Sequence, residues 1–212
     1  PGYLYGVRDN NIYVNLFAGS TSTIKVGGKD VELEQTTEYP WNGDIKIVVK
    51  KNAAKGANLL VRIPGWARGS VVPSDLYSYS DGKATGYTVT LNGKTLTADL
   101  DANGGYLPVK GIRKGDVVRI HFDMPVRTVV ANRNVADDKG KVAVERGPLV
   151  YCAEAVDNGG EPVLRTVMNK KPAFTLVDGY TINNTEAKDA PSFRVTAIRT
   201  QVQTLEETSG GG

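Results

Sequence analysis

Through most of this chain apolar and polar residues alternate with a period of two, and that pattern narrows the choice of folds more than any other. Ile45, Ile47 and Val49 are interleaved with Asp44, Lys46 and Lys50, with Val48 as the break, and Val31 and Leu33 with Asp30, Glu32 and Glu34. The same holds for Tyr87, Val89 and Leu91 against Thr88, Thr90 and Asn92, and for Val118, Ile120 and Phe122 against Arg119, His121 and Asp123. Successive side chains of a strand point to opposite faces, so each run sets one face on a core and the other in water. Gly27-Gly28 and Asn92-Gly93 stand between such runs, and both pairs tolerate the positive φ angles that two-residue hairpins need. No segment sustains a 3.6-residue period, and the best helical remnant is the first few residues. The chain reads as all-β, an antiparallel β-sandwich.

A length of 212 residues allows one large β domain or two small ones. Met124-Pro125 closes one set of strands, a polar stretch runs from Asn132 to Lys141, and strands resume at Val142. Two consecutive sandwich domains are therefore expected, 10–128 and 129–208. In the second, Val163–Val167 and Arg194–Ile198 read as strands, Asp157–Pro162 and Asp178–Pro191 as loops, and Ser209–Gly212 as a flexible tail. There is no internal repeat.

Charge and cysteine usage exclude several classes. The net charge of +3 comes from 26 basic and 23 acidic residues mixed throughout, without the clustered basic face of a nucleic-acid binder. Lys50-Lys51 and Lys170-Lys171 read as solvated turn residues. No apolar run reaches the roughly 18 residues that span a bilayer as a helix. The partners expected thus include neither nucleic acid nor membrane. The single Cys152 excludes an internal disulfide framework, and a chain beginning at Pro1 without Met gives no weight to a missing leader.

Candidate chemistry is sparse. Nucleophilic catalysis needs a Ser or Cys beside a base, and the only histidine, His121, alternates outward beside Arg119 as a solvated strand residue. Cys152 ends an apolar run and reads as a small buried hydrophobe. One Cys and one His make a poor zinc set. Glu145 precedes Arg146-Gly147-Pro148 and is read as an ion pair or corner hydrogen bond with Arg146. Trp41 and Trp66 follow turn-forming residues; each is either a core or domain-interface contact or a platform for a sugar ring. Trp41, Trp66 and Arg146 are the candidate contacts for carbohydrate or a neighbouring domain, and no catalytic or metal residue is assigned.

Two stretches end strands in specified corners: Leu60–Trp66 (L-V-R-I-P-G-W) and Val142–Cys152 (V-A-V-E-R-G-P-L-V-Y-C). With Tyr13–Phe17, Glu38–Gly43, Lys114–Asp116 and Met124–Arg127, they resemble, in order, glycoside hydrolase family 127, the β-L-arabinofuranosidase family formerly catalogued as a domain of unknown function. The resemblance covers the chain to about Asn169, and more weakly to about Leu205. It implies a parent with an N-terminal (α/α)₆ barrel followed by β-sandwich domains. The barrel holds zinc by cysteines and a glutamate, with a cysteine nucleophile in a retaining mechanism.

The barrel's paired-cysteine motif lies upstream of Pro1, so residues 1–9 are the tail of the missing barrel or a linker, and Cys152 matches a sandwich motif. The resemblance thus implies a non-catalytic C-terminal portion that supports the barrel of the same polypeptide, without zinc of its own. Its parent would act on plant or glycoprotein glycans. The family continues past this chain's end, so the second domain is expected to lack its last strand or strands. An autonomous carbohydrate-binding module using surface tryptophans is the alternative. Compartment stays open; a bacterial periplasmic or extracellular parent fits.

Overall fold

The computed structural model describes residues 2–160, 162–182 and 193–205. It divides into two compact units, Pro1–Val150 and Tyr151–Gly212.

In chain order the first unit holds β1 (Tyr5–Arg8), β2 (Asn11–Val14), β3 (Ser20–Val26), β4 (Lys29–Thr37), β5 (Asp44–Asn52), β6 (Asn58–Arg62), β7 (Tyr77–Tyr79), β8 (Tyr87–Leu91) and β9 (Lys94–Leu96). There follow β10 (Tyr106–Val109), β11 (Val117–Phe122), β12 (Val126–Ala131), β13 (Val142–Arg146) and β14 (Leu149–Tyr151), whose last residue begins the second unit. A four-stranded sheet runs β1-β2-β6-β10, with β2 and β6 parallel, and a six-stranded antiparallel sheet runs β3-β4-β5-β11-β8-β9. Their apolar faces share one core: Ile12, Val14, Leu59, Val61, Leu107 and Val109 from the first, and Leu33, Ile47, Val49, Val118, Ile120 and Phe122 from the second. The fold is an all-β sandwich, as the alternation requires.

Both hairpin turns fall where the sequence sets them. Gly27 and Gly28 (φ 55° and 77°) join β3 to β4, and Asn92 and Gly93 (φ 50° and 83°) join β8 to β9. The N-terminus holds a turn and then β1 in place of the helical remnant, and Tyr5 of β1 is buried. Lys50 and Lys51 lie in β5, not in a turn, beside a register shift in the β4–β5 pairing. There they meet Glu34 and Asp30, each at 3.3 Å.

A third sheet, β14-β13-β12-β7, completes this unit. β12 spans residue 128, where the sequence set a domain boundary, and it pairs with β13 on one side and β7 on the other. Gly147 sits at φ 58° in the turn from β13 to β14, a left-handed conformation that strains a side chain, and a Cβ there would displace the Met124 methyl.

In the second unit β15 (Thr166–Met168) pairs with β18 (Val202–Thr204), and β16 (Phe174–Ile182) with β17 (Phe193–Thr200). Val163–Arg165, expected as the start of a strand, is a 3₁₀ turn entered from Pro162. β16 extends through Asp178, expected as loop, and a bulge between Val177 and Tyr180 accommodates Asp178 and Gly179. The rest of the expected loop at 183–191 and the tail at 209–212 lie outside the described residues.

Candidate functional site

The turn from Glu38 to Gly43 gathers the candidate residues of the first unit. Trp41 N–H donates to Glu38 O (2.8 Å), Asn42 Nδ2 to Glu38 Oε2 (2.9 Å), and Asp44 N–H to Asn42 Oδ1 (3.0 Å). Gly43 is obligatory here: a Cβ would run into the Phe122 carbonyl, and Phe122 N–H donates to Gly43 O at 3.0 Å. Arg146 Nη1 then donates to Trp41 O at 2.7 Å. The structure thus joins two residues 105 positions apart, Trp41 and Arg146, at one corner. The Trp41 side of that corner faces solvent, with the residue 37% exposed.

Trp66 belongs to the core. It is 9% exposed and sits edge-on to Phe122, ring centroids 5.4 Å apart, with Tyr39 and Phe17 in the same aromatic cluster. Its indole Nε1 makes no hydrogen bond of acceptable geometry. It stands close enough to the Tyr39 hydroxyl to oppose, in part, the upward push that burial gives that phenol's pKa. A ring buried in the core is not a platform for a sugar.

Two expectations are corrected. Glu145 does not pair with Arg146, because neighbours on β13 point to opposite faces; it accepts a hydrogen bond from Tyr79 Oη at 2.9 Å instead. Cys152 is exposed, not buried, because β14 ends at Tyr151 and the chain turns away; its Sγ lies 3.9 Å from Glu154 Oε1.

His121 points outward as expected, yet it is held. Its Nδ1 is 2.7 Å from Asp44 Oδ1, and its Nε2 stands 3.3 Å from Asp123 Oδ1. The hydrogen bond to Asp44 raises its pKa, against a smaller opposing effect of desolvation. The two carboxylates lie at opposite edges of the ring and do not converge on a point. Accordingly, no group of three His, Cys, Asp or Glu among the described residues can hold a metal ion. The cysteine and glutamate set that the resemblance places in the barrel has no counterpart among the described residues.

Sequence reasoning missed a buried network centred on Arg127. Its side chain is 5% exposed and donates from Nε and Nη2 to Asp81 (3.2 and 2.5 Å) and from Nη2 to Lys83 O. Its Cζ lies 3.3 Å from the Tyr79 ring centroid. The hydrogen bond from Arg127 holds the Asp81 carboxyl below the usual range, against an opposing desolvation effect. Burial, followed by the bond to Glu145, pushes the Tyr79 phenol well above its usual range. One signal was available: on β12 Arg127 shares parity with buried Val129, so it faces inward.

Architecture and site together define an all-β sandwich module whose exposed polar corner joins a half-exposed tryptophan to an arginine. Residues 11–124 match the β-L-arabinofuranosidase, GH127 middle domain, and residues 126–199 match the glycoside hydrolase family 127 C-terminal domain. The chain belongs to glycoside hydrolase family 127 and is a non-barrel portion of a glycoside hydrolase. It is 36% identical over 166 residues to a non-reducing end β-L-arabinofuranosidase of Bifidobacterium longum subsp. longum, a match covering 75% of this chain and 22% of the relative.

Among solved structures, a family 127 β-arabinofuranosidase matches 99% of this chain at 41% identity with a TM-score of 0.86. A family 127 β-L-arabinofuranosidase from Geobacillus stearothermophilus T6 matches 95% at 27% identity with a TM-score of 0.69. The chain spans 31% of each of these structures, so these relatives are much longer.

Proposed function

We propose that this chain is the C-terminal β-sandwich portion of a retaining β-L-arabinofuranosidase, non-catalytic by itself, that supports an N-terminal (α/α)₆ barrel of the same polypeptide. Zinc and the cysteine nucleophile belong to that barrel. The complete enzyme removes β-L-arabinofuranosyl residues from plant or glycoprotein glycans. The observation that carries this reading is the ordered match to the middle and C-terminal family domains over residues 11–199, in a chain spanning 22% of its curated relative. The Trp41–Arg146 corner, with its exposed ring and fixed backbone, is the contact surface assigned to the barrel.

The test is an assay on a chromogenic β-L-arabinofuranoside. The longer polypeptide should show turnover that a chelator abolishes and zinc restores, and the chain alone should show none. Zinc-dependent turnover by the chain alone would refute the proposal.

The exposure of Trp41 favours a second reading, an autonomous carbohydrate-binding module. The burial of Trp66 leaves that reading one tryptophan of the two. Binding of arabino-oligosaccharides that disappears in Trp41→Ala would establish it.

A further inference from the structure

The outward face of the six-stranded sheet carries a charge arrangement that the fold does not require. Pairing sets Thr36 opposite Lys46, Lys46 opposite Arg119, Arg119 opposite Thr90, and Thr90 opposite Thr95, one row across five strands. The next row holds Asp44, His121 and Thr88. Directly opposed residues in adjacent strands have Cβ atoms roughly 4.5–5.5 Å apart, and like charges so placed weaken a sheet. Lys46 and Arg119 are such a pair, and among the described residues the side chain of neither makes an ion pair or hydrogen bond. Elsewhere in the same sheet Lys25, Lys50 and Lys51 each have a carboxylate partner.

Thr36, Lys46, Arg119, Thr90 and the second row line a groove of about 320 Å³. That volume lies at the small end of ligand pockets, about 300–1,000 Å³. Carboxylates face both ring nitrogens of His121, an arrangement that suits the doubly protonated ring. Lys46, Arg119 and protonated His121 then stand against Asp44 and Asp123, leaving a single positive charge. That balance suits the single carboxylate that one sugar residue brings to the site, whereas a compact phosphate dianion meets Asp44 in the same groove. A guanidinium beside an ammonium suits a planar carboxylate, and the threonine hydroxyls both donate and accept, as sugar hydroxyls require.

We propose that this groove is a subsite for a uronate residue of an oligosaccharide, with Lys46 and Arg119 holding the carboxylate and Thr36, Thr88 and Thr90 meeting the ring hydroxyls. The saccharide part rests on the glycosidase reading above; the anion part rests on the sheet geometry. Recognition through exposed charge is weakened by salt.

Calorimetric titration of the chain at low salt tests this with four probes: tri-galacturonate, its methyl ester, neutral arabinotriose and inorganic phosphate. The acid trimer should bind, with the ester and arabinotriose weaker by about tenfold or more, roughly the worth of a charge-assisted contact. Lys46→Thr and Arg119→Thr should each weaken the acid trimer by about tenfold without lowering Tm, since threonine is a good strand former. Four results would overturn the proposal: no binding, equal binding of acid and ester, displacement of the trimer by equimolar phosphate, or unchanged binding in both variants. Arabinose release by the longer polypeptide is a separate readout. Its absence sinks the glycosidase reading and leaves uronate binding standing, while loss of uronate binding leaves arabinose release standing.

Discussion

Arg119 and Arg127 lie on consecutive strands, yet the molecule treats them in opposite ways. On the inward side of β12, Arg127 is enclosed by Asp81, the Lys83 carbonyl and the face of Tyr79. On the outer face of β11, Arg119 stands opposite Lys46 with no partner among the described residues. An enclosed guanidinium must have its charge answered within the fold, because desolvation there is severe. A solvated one needs no answer, so its place opposite a like charge calls for a different reason. The contrast separates arginine that specifies structure from arginine available to a ligand.

The most forceful way to break this contrast is to truncate each arginine in turn. Arg127→Ala strands the Asp81 and Glu145–Tyr79 groups and should destabilise the first unit by about 2–4 kcal/mol, less than a fully buried pair because Asp81 is 47% exposed. Arg119→Ala should stay within about 0.5 kcal/mol of the parent. Urea unfolding followed by tryptophan fluorescence compares them, and equal losses would erase the distinction.

Gly43→Ala drives a methyl group into the Phe122 carbonyl at the end of β11 and should destabilise by about 1–3 kcal/mol in the same assay.

Acidity sharpens the comparison, because the two regions respond at opposite ends of the scale. The raised pKa of His121 makes its contact with Asp44 and Asp123, beside Lys46 and Arg119, fully stabilising below the unfolded value of about 6.5. That contribution is lost as pH climbs through the raised folded value. The lowered pKa of Asp81 stabilises above the unfolded value of 3.8 and is lost as pH falls through the folded one. Melting curves should therefore show His121→Gln more damaging at about pH 5 than at about pH 8, and Asp81→Asn more damaging near neutrality than at about pH 3.

The smallest expected effect is a gain. Lys46→Thr relieves the cross-strand repulsion and should raise stability by a few tenths of a kcal/mol, about 0.2–0.5, seen as a Tm gain over the parent that is larger at low salt than at high salt.

Where local pattern suffices, the sequence was readable. Parity alone puts Ile45, Ile47, Val49, Val118, Ile120 and Phe122 in the core, and Gly27-Gly28 and Asn92-Gly93 in tight turns. Contacts made across the chain were not readable in this way. Asp81 lies 46 positions from Arg127, just after a three-residue strand too short to show any period. The sequence sets Glu145 beside Arg146, but strand parity separates the two, and its partner, Tyr79, is 66 positions away. Cys152 is exposed at the end of an apolar run, and such a run does not announce where its strand stops. At the candidate corner, Trp41 and Arg146 stand apart in the sequence; their meeting depends on a turn and a strand end 105 positions apart.

The short ribbon at Tyr77–Tyr79 lies within the middle-domain segment but hydrogen-bonds to Val129–Ala131 in the C-terminal segment. Severing the polypeptide between residues 124 and 126 would therefore not yield two self-sufficient parts, since one would carry away the other's edge. Engineers grafting or exchanging such modules, and any natural recombination event, must move both segments as a single heritable block.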